Sequence, residues 1–339
     1  MAVSAPLELV GGFGSPYSRK MRAVLRYRRI PFRWIARGSA QDVGIPAVPV
    51  SLIPVLVFPG DPDEAMIDST AQIRRLELLY RERSAIPPDP ALAFIDALIE
   101  DYADEWLTKA MFHYRWSYAP DIAKASYVLP LDRDLGLSGE RLEAAAKLIG
   151  DRQIGRLGVV GSNETTRSVI EDSYKRLLAL LSDLISLRGY VFGARPAACD
   201  FGIFGQLSQL ALFDPTSAEV AETLAPRVIA WLSHTDDLGW LEVCDQDWST
   251  REEVRANVGP LLREIGHVYA PFLLANAAAL ESGAELVECE IDGHKWVQTP
   301  FRYQGKCLQW LREGRAGLGA EPRDWVDEVL AGSGCETLF

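Results

Sequence analysis

The stretch GGFGSPYSRKMR, Gly11 to Arg22, decides how the chain is read. It follows the short run Leu7-Glu8-Leu9-Val10, which reads as a β-strand, and it opens a helix. Pro16 stands at the first helical position, where a missing N–H costs nothing. Tyr17, Met21, Val24 and Leu25 then fall on one helical face. A glycine-rich turn between a strand and a helix start lets backbone approach a ligand. Two familiar motifs fit it poorly. The dinucleotide fingerprint G-x-G-x-x-G finds Gly12 and Gly14, but its third glycine is replaced by Tyr17. The nucleophile elbow G-x-S-x-G fails because Pro16 and Tyr17 follow Ser15. A plain strand-to-helix turn stays open.

Working outward, Phe32–Ile35 reads as a second strand and Val55–Phe58 as a third, entered through Pro54. Asp61-Pro62-Asp63 is a turn, Met66-Ile67 a fourth strand, and Ser69–Arg81 a helix. After AIPPDP, Ala85–Pro90, the pattern turns helical. One long helix is expected over Ala91–Tyr118, with further helices at Leu137–Leu157, Glu164–Arg188, Phe201–Leu212 and Pro226–Ser233. From about Thr250 a tail is added. Val254–Ser282 reads as a helix interrupted near Pro271. ELVECEIDGHKWVQT, Glu285–Thr299, alternates around Asp292-Gly293 as a hairpin does. Tyr303–Arg312 and Arg323–Leu330 read as helices. The expected fold class is an α/β domain over residues 1–84, an all-α domain over 90–249, and a C-terminal extension, 250–339, with a β-hairpin and helices packed on the helical domain.

Composition narrows the function. The chain has 339 residues, a net charge of −12 and 48% hydrophobic residues, enough for a sizeable core. The acidic balance argues against nucleic acid or an anionic membrane as partner. No run approaches the ~20 apolar residues of a membrane span. The start MAVSAPLELV lacks a basic, then apolar, leader pattern, so no signal peptide is expected. Five scattered cysteines without zinc spacing point to a reduced cytoplasm and no metal. His267, Cys289, His294 and Cys307 are the only metal candidates, and their spacing does not require one.

Four features occur in order: βαβ then ββα, Ser-Pro-Tyr-Ser at the first helix, Ile53-Pro54, and Asp68-Ser69 at the next helix start. Together they resemble the thioredoxin-like domain of the glutathione transferases. GYVFGARPAACDFGIFGQL, Gly189–Leu207, is similar to the family's stretch before its buried central helix. The resemblance runs from Leu7 to about Trp240 and leaves the tail outside it.

The resemblance implies glutathione as co-substrate, a small electrophile as second substrate, and a homodimer. It implies that Ser15 is catalytic, its hydroxyl donating to the glutathione sulfur. A hydrogen bond to a charged group is worth ~1.5–3 kcal/mol, which lowers a thiol pKa of ~8.5 by ~1–2 units. The helix dipole after Pro16 favours the same anion. Pro54 matches the family's cis-proline, which would turn the Ile53 backbone toward the cysteinyl part of glutathione. Asp68 and Ser69 match the pair that binds the γ-glutamyl group, although Ser69-x-x-Gln72 also reads as a capping box. Serines at positions 15 and 18 exclude dithiol exchange.

Three departures stand out. The approach to Pro54, AVPVSLIP, has no lysine, so part of the glycyl-carboxylate site implied by the resemblance is either missing or supplied elsewhere, with Arg19 and Arg37 as candidates. Asp200 has Ala197 where a capping Ser or Thr is usual, and is read as a structural cap that has lost its partner. The long tail could cover the usual dimer surface. With the missing lysine, it supports the alternative of a binding or interaction protein that keeps the fold without efficient turnover. Tyr17, Trp106 and Tyr114 are expected as candidates for the wall of the electrophile pocket, against the alternative that they are core. Trp296 is expected to cover an apolar flank of the helical domain.

Overall fold

The computed structural model describes residues 6–339. Met1–Ala5, on which the expectation of no leader bears, lie outside them. The first elements are β1 (Leu7–Gly11), α1 (Pro16–Tyr27), β2 (Phe32–Ala36), β3 (Val55–Phe58), β4 (Glu64–Met66) and α2 (Ser69–Leu79). They form one sheet in the order β2-β1-β3-β4, with β1 parallel to β2 and antiparallel to β3. Leu7, Leu9 and Leu56 turn into the main core with α1, while Val10, Ile35, Val55 and Val57 pack with Ile45 and Val48 on the other face. A sheet covered on both faces explains why β3, Val-Leu-Val-Phe, reads as a continuous apolar run rather than an alternating one.

The helical region comprises α3 (Pro90–Glu105), α4 (Leu107–Ser117), α5 (Ala119–Leu131), α6 (Gly139–Ile154), α7 (Arg167–Arg188), α8 (Ala198–Leu210), α9 (Pro215–Leu224) and α10 (Pro226–Thr235). The single helix expected over Ala91–Tyr118 is two, because Lys109 N bonds the Trp106 carbonyl three residues back, a tighter turn than an α-helix. Two helices escaped the sequence reading. α5 carries prolines near both ends, and α9 begins at Pro215, a start signal that was there to be used.

α8 is buried along its whole length at the centre of the molecule. Gly205 lets α1 lie directly on it: a Cβ there would sit 2.6 Å from the Pro16 carbonyl. The sheet domain and the helices are also joined by a buried ion cluster. Lys20 Nζ donates to Glu100 Oε1 and Asp104 Oδ2, each at 2.6 Å, and Thr70 Oγ1 donates to Glu100 Oε1 at 3.0 Å. Burial alone would lower the Lys20 pKa, but Asp104 and Glu100 more than offset it and hold the ammonium above its ordinary range.

The tail is α11 (Arg251–Asn257), α12 (Gly259–Ser282), the hairpin β5 (Val287–Ile291) and β6 (His294–Gln298), α13 (Arg302–Ala316) and α14 (Ala320–Leu330). Against expectation, α12 runs unbroken through Pro271. Its buried residues Val268, Tyr269, Phe272 and Leu273 flank the proline, and this packing holds the helix together. The break falls earlier, at Val258. Asp292 (φ 56°) and Gly293 (φ 71°) form the hairpin turn with two positive φ angles, as the strand twist requires. Trp296 is fully buried, its ring 5.1 Å from Trp106 and 5.9 Å from Phe272. Lys109 lies beneath it, donating to Gln298 Oε1 at 2.8 Å with its Nζ 4.0 Å from the Phe272 ring centre. No helix among the described residues is long and apolar enough to cross a membrane.

Candidate functional site

β1 and β3 are neighbours, and Val10 pairs with Val55. The chain leaving β1 at Gly11 therefore faces the chain entering β3 through Ile53 and Pro54. Ile53 lies close enough that its Cδ1 would be 3.5 Å from a Cβ placed on Gly12. The Ile53–Pro54 peptide is cis. The Pro54 carbonyl accepts from Gln72 Nε2 at 3.0 Å, so α2 braces the turn. Ile53 itself is half-buried, and its backbone N–H and C=O bond to nothing else among the described residues. An unused donor and acceptor at a strand entrance can take one extended peptide as an extra strand.

Ser15 caps α1 with extended backbone (φ −95°, ψ 120°), and its Oγ accepts the Ser18 N–H at 3.3 Å. A hydroxyl that accepts one bond keeps its own proton to donate. Ser18 is fully buried, and its Oγ accepts the Gly12 N–H at 3.3 Å, so its role is to shape the loop. The loop is held from the helical side as well. Arg115 Nη1 donates to the Gly14 carbonyl at 2.8 Å, Gln209 Nε2 to the Phe13 carbonyl at 3.0 Å, and the Phe13 N–H to Asp132 Oδ2 at 2.8 Å. Arg115 is fixed by a two-point pair with Asp214, at 2.8 and 2.9 Å. Burial raises the Asp132 and Asp214 carboxyls above their ordinary range, against the Phe13 N–H and Arg115 respectively. Sequence reasoning missed Arg115, Gln209, Asp132 and Asp214. Arg115 and Gln209 are polar residues within helices, and Asp132 and Asp214 flank helix ends, but spacing cannot tie any of them to a loop more than 100 residues away.

At the third point of the site, Asp68 rather than Ser69 caps α2. Its backbone is at φ 76°, a region that side-chain-bearing residues rarely adopt and that costs of order 1–3 kcal/mol. Oδ1 accepts from the Thr70 and Ala71 N–H groups at 3.1 and 3.3 Å. The Ser69–Gln72 capping box does not form, because the Asp68 carboxylate takes the free N–H groups and Gln72 turns to Pro54 and Met66 instead. The Ser69 hydroxyl and N–H bond to no other group among the described residues. Asp68 Oδ2 accepts from Tyr303 Oη at 2.7 Å.

Other candidates move. Trp106 and Tyr114 lie in the core rather than on a pocket wall. Tyr17 is half-buried, its hydroxyl donating to the Asp104 carbonyl at 2.8 Å, and desolvation of that hydroxyl raises its phenol well above the ordinary range. Trp106 is 1% exposed and donates to Ser173 Oγ, and Tyr114 is 2% exposed against Tyr174 and Tyr118. The apolar side chains at the serine loop are instead Leu129, against Gly14, and the exposed Phe13. Arg19 pairs with Asp236 at 2.9 Å and Arg37 with Asp42 at 3.0 Å, so both cations already have partners. Asp200 keeps its half of the cap, accepting from Ala197 N at 2.9 Å, and adds Val191 N at 3.0 Å. His267 bonds Asp292 instead of meeting Cys289, His294 and Cys307, and no metal-holding group of three is formed among the described residues.

Residues 9–84 match the family model described as the N-terminal domain of glutathione S-transferase, and the sheet domain is of that family. Comparison with curated proteins finds no match. Solved structures of similar fold include a glutathione S-transferase from Rhodospirillum rubrum F11, 18% identical over 73% of this chain and 98% of its own, with a TM-score of 0.42. A Tau class glutathione S-transferase from mango, Mangifera indica, is 18% identical over 68% and 88%, with a TM-score of 0.41. A rice glutathione S-transferase solved in complex with glutathione is 18% identical over 76% and 98%, with a TM-score of 0.39.

Proposed function

We propose that this chain binds glutathione in the cradle formed by Ser15, Ile53, Pro54, Asp68 and Ser69, and activates its thiol. The observation that carries the reading is the unbonded N–H and C=O of Ile53 beside cis-Pro54, facing the capped start of α1. Ile53 pairs with the cysteinyl backbone. Ser69 and its N–H receive the γ-glutamyl carboxylate, and Asp68 balances the ammonium. Ser15 donates to the sulfur and holds it as thiolate. Bound there, glutathione supplies the nucleophile: its sulfur bonds to an electrophilic carbon as the leaving group departs with the bonding pair, or reduces a peroxide, with a second glutathione completing the disulfide. Leu129 and Phe13 are apolar groups at the Ser15 loop, beside which that sulfur would lie. The same reading gives three units, 1–84, 90–249 and 250–339, a homodimer, and a reduced cytoplasmic setting that suits five free cysteines.

A second reading is a glutathione-binding or interaction protein without turnover. The pairing of Arg19 and Arg37 favours it, since it leaves the glycyl carboxylate without either expected cation. Calorimetric titration with glutathione, followed by catalysed against uncatalysed conjugation of an aromatic electrophile, separates the two. Binding with rate acceleration supports the enzyme, and binding without it supports the second reading. Absence of binding overturns the enzyme and leaves the interaction role. Sedimentation at micromolar concentration tests the dimer against a 37.5 kDa monomer.

A further inference from the structure

Tyr303 belongs to α13, in the part of the chain that the family match does not cover. Its hydroxyl reaches across 235 residues of sequence to donate to Asp68 Oδ2 at 2.7 Å. The helix that carries it is firmly seated. Gln304 and Cys307 are buried beside it, and Gln304 Nε2 leans on the Glu105 carbonyl of α3 at 3.4 Å. Burial first, and Asp68 second, hold the Tyr303 phenol well above its ordinary range, so it stays a donor throughout the working pH.

Capping α2 uses only Oδ1 of Asp68. An aspartate held through one oxygen still rotates about χ2, a torsion with broad minima. The Tyr303 bond fixes the other oxygen and with it the carboxylate plane. Oδ2 keeps one lone pair after accepting from Tyr303, so a ligand cation can still bond there. We infer that Tyr303 is a positioning residue for the γ-glutamyl ammonium: the tail of the same chain orients the Asp68 carboxylate that receives it. The inference rests on the glutathione reading above and adds to it a residue from outside the matched domain.

The test uses the full chain and two probes, glutathione and its analogue lacking the α-amino group, glutaryl-cysteinylglycine. Wild type should prefer glutathione, and Asp68→Asn should abolish that preference. Tyr303→Phe keeps the ring and its packing. It should weaken glutathione by roughly three- to tenfold, leave the analogue within about twofold, and melt close to wild type. A merely structural contact would move both probes together. If Asp68→Asn abolishes the preference while Tyr303→Phe leaves glutathione unchanged or tighter, the role of Tyr303 is overturned and the glutathione reading stands. If wild type binds neither probe, that reading falls and this inference with it.

Discussion

Arg115 donates to the carbonyl of Gly14 at 2.8 Å although 101 positions separate them in sequence. The loop that presents Ser15 is thereby fastened to the helical domain through a guanidinium that is 3% exposed and already paired with the fully buried Asp214.

Arg115→Met should lower stability by ~3–5 kcal/mol, because it strands the Asp214 charge in the interior. Adding Asp214→Leu should recover most of that loss, as apolar replacement of a whole buried pair does. Glutathione binding should not recover with it, since the Gly14 carbonyl still lacks its donor. Denaturant unfolding and calorimetric titration of both variants check the two halves separately.

Gly14→Ala should be poorly tolerated. The new Cβ would lie 2.1 Å from Leu129 Cδ2, so the Leu129 side chain must give way. Overpacking of this kind costs ~1–3 kcal/mol. Leu129→Ala in the same chain should relieve it, with the melting temperature as readout.

Ser15→Ala should raise the pKa of bound glutathione by ~1–2 units, read from thiolate absorbance against pH. It should also cost ~0.5–2 kcal/mol of stability, because Ser15 caps α1. Ser18→Ala should show a stability loss and leave the thiol titration in place. An unshifted titration in Ser15→Ala would remove the residue from the chemistry.

Glu105 is 7% exposed, and burial first, then Asp101 and Asp104, push its carboxyl up to about 8 from an ordinary 4.5. A raised folded pKa means that the folded state binds the proton more tightly. That contribution is complete below pH 4.5 and is lost as pH rises through 8. Lys109, lowered by burial to about 7, works in the opposite sense, its contribution growing with pH above 7. Glu105→Gln removes the first effect and, by taking away the neighbouring carboxylate, lets the pKa of the Lys109 ammonium fall further. The variant should match wild type at pH near 4 and exceed it at higher pH by on the order of 2 kcal/mol. Urea unfolding across that range is the measurement, and a constant offset would contradict it.

The sheet domain was readable because its information is local. A proline at N1, a strand after a glycine turn and a proline before Val55 each act within a few residues. The identity of the α2 cap was misread for the same reason. Ser69 has better capping statistics in a box with Gln72, but the strained backbone at Asp68 is set by the turn after β4, which spacing does not encode. The aromatic residues from Trp106 to Trp116 carried no sign of which way they face. Trp106 turned inward because a hairpin 190 residues later supplies Trp296 to cover it. Arg115 and Tyr303 were invisible as site residues because each acts through a single long-range bond.

The Tyr303–Asp68 bond also fixes an order of events during synthesis. Ribosomes deliver chain at about 5–20 residues per second, so Asp68 emerges tens of seconds before its partner. Gly14 waits likewise for Arg115 and Asp214. The nascent sheet domain can pair its strands early, yet its ligand cradle is assembled last, when nearly all of the polypeptide has been made. A truncated product would carry the recognisable domain and lack the finished site.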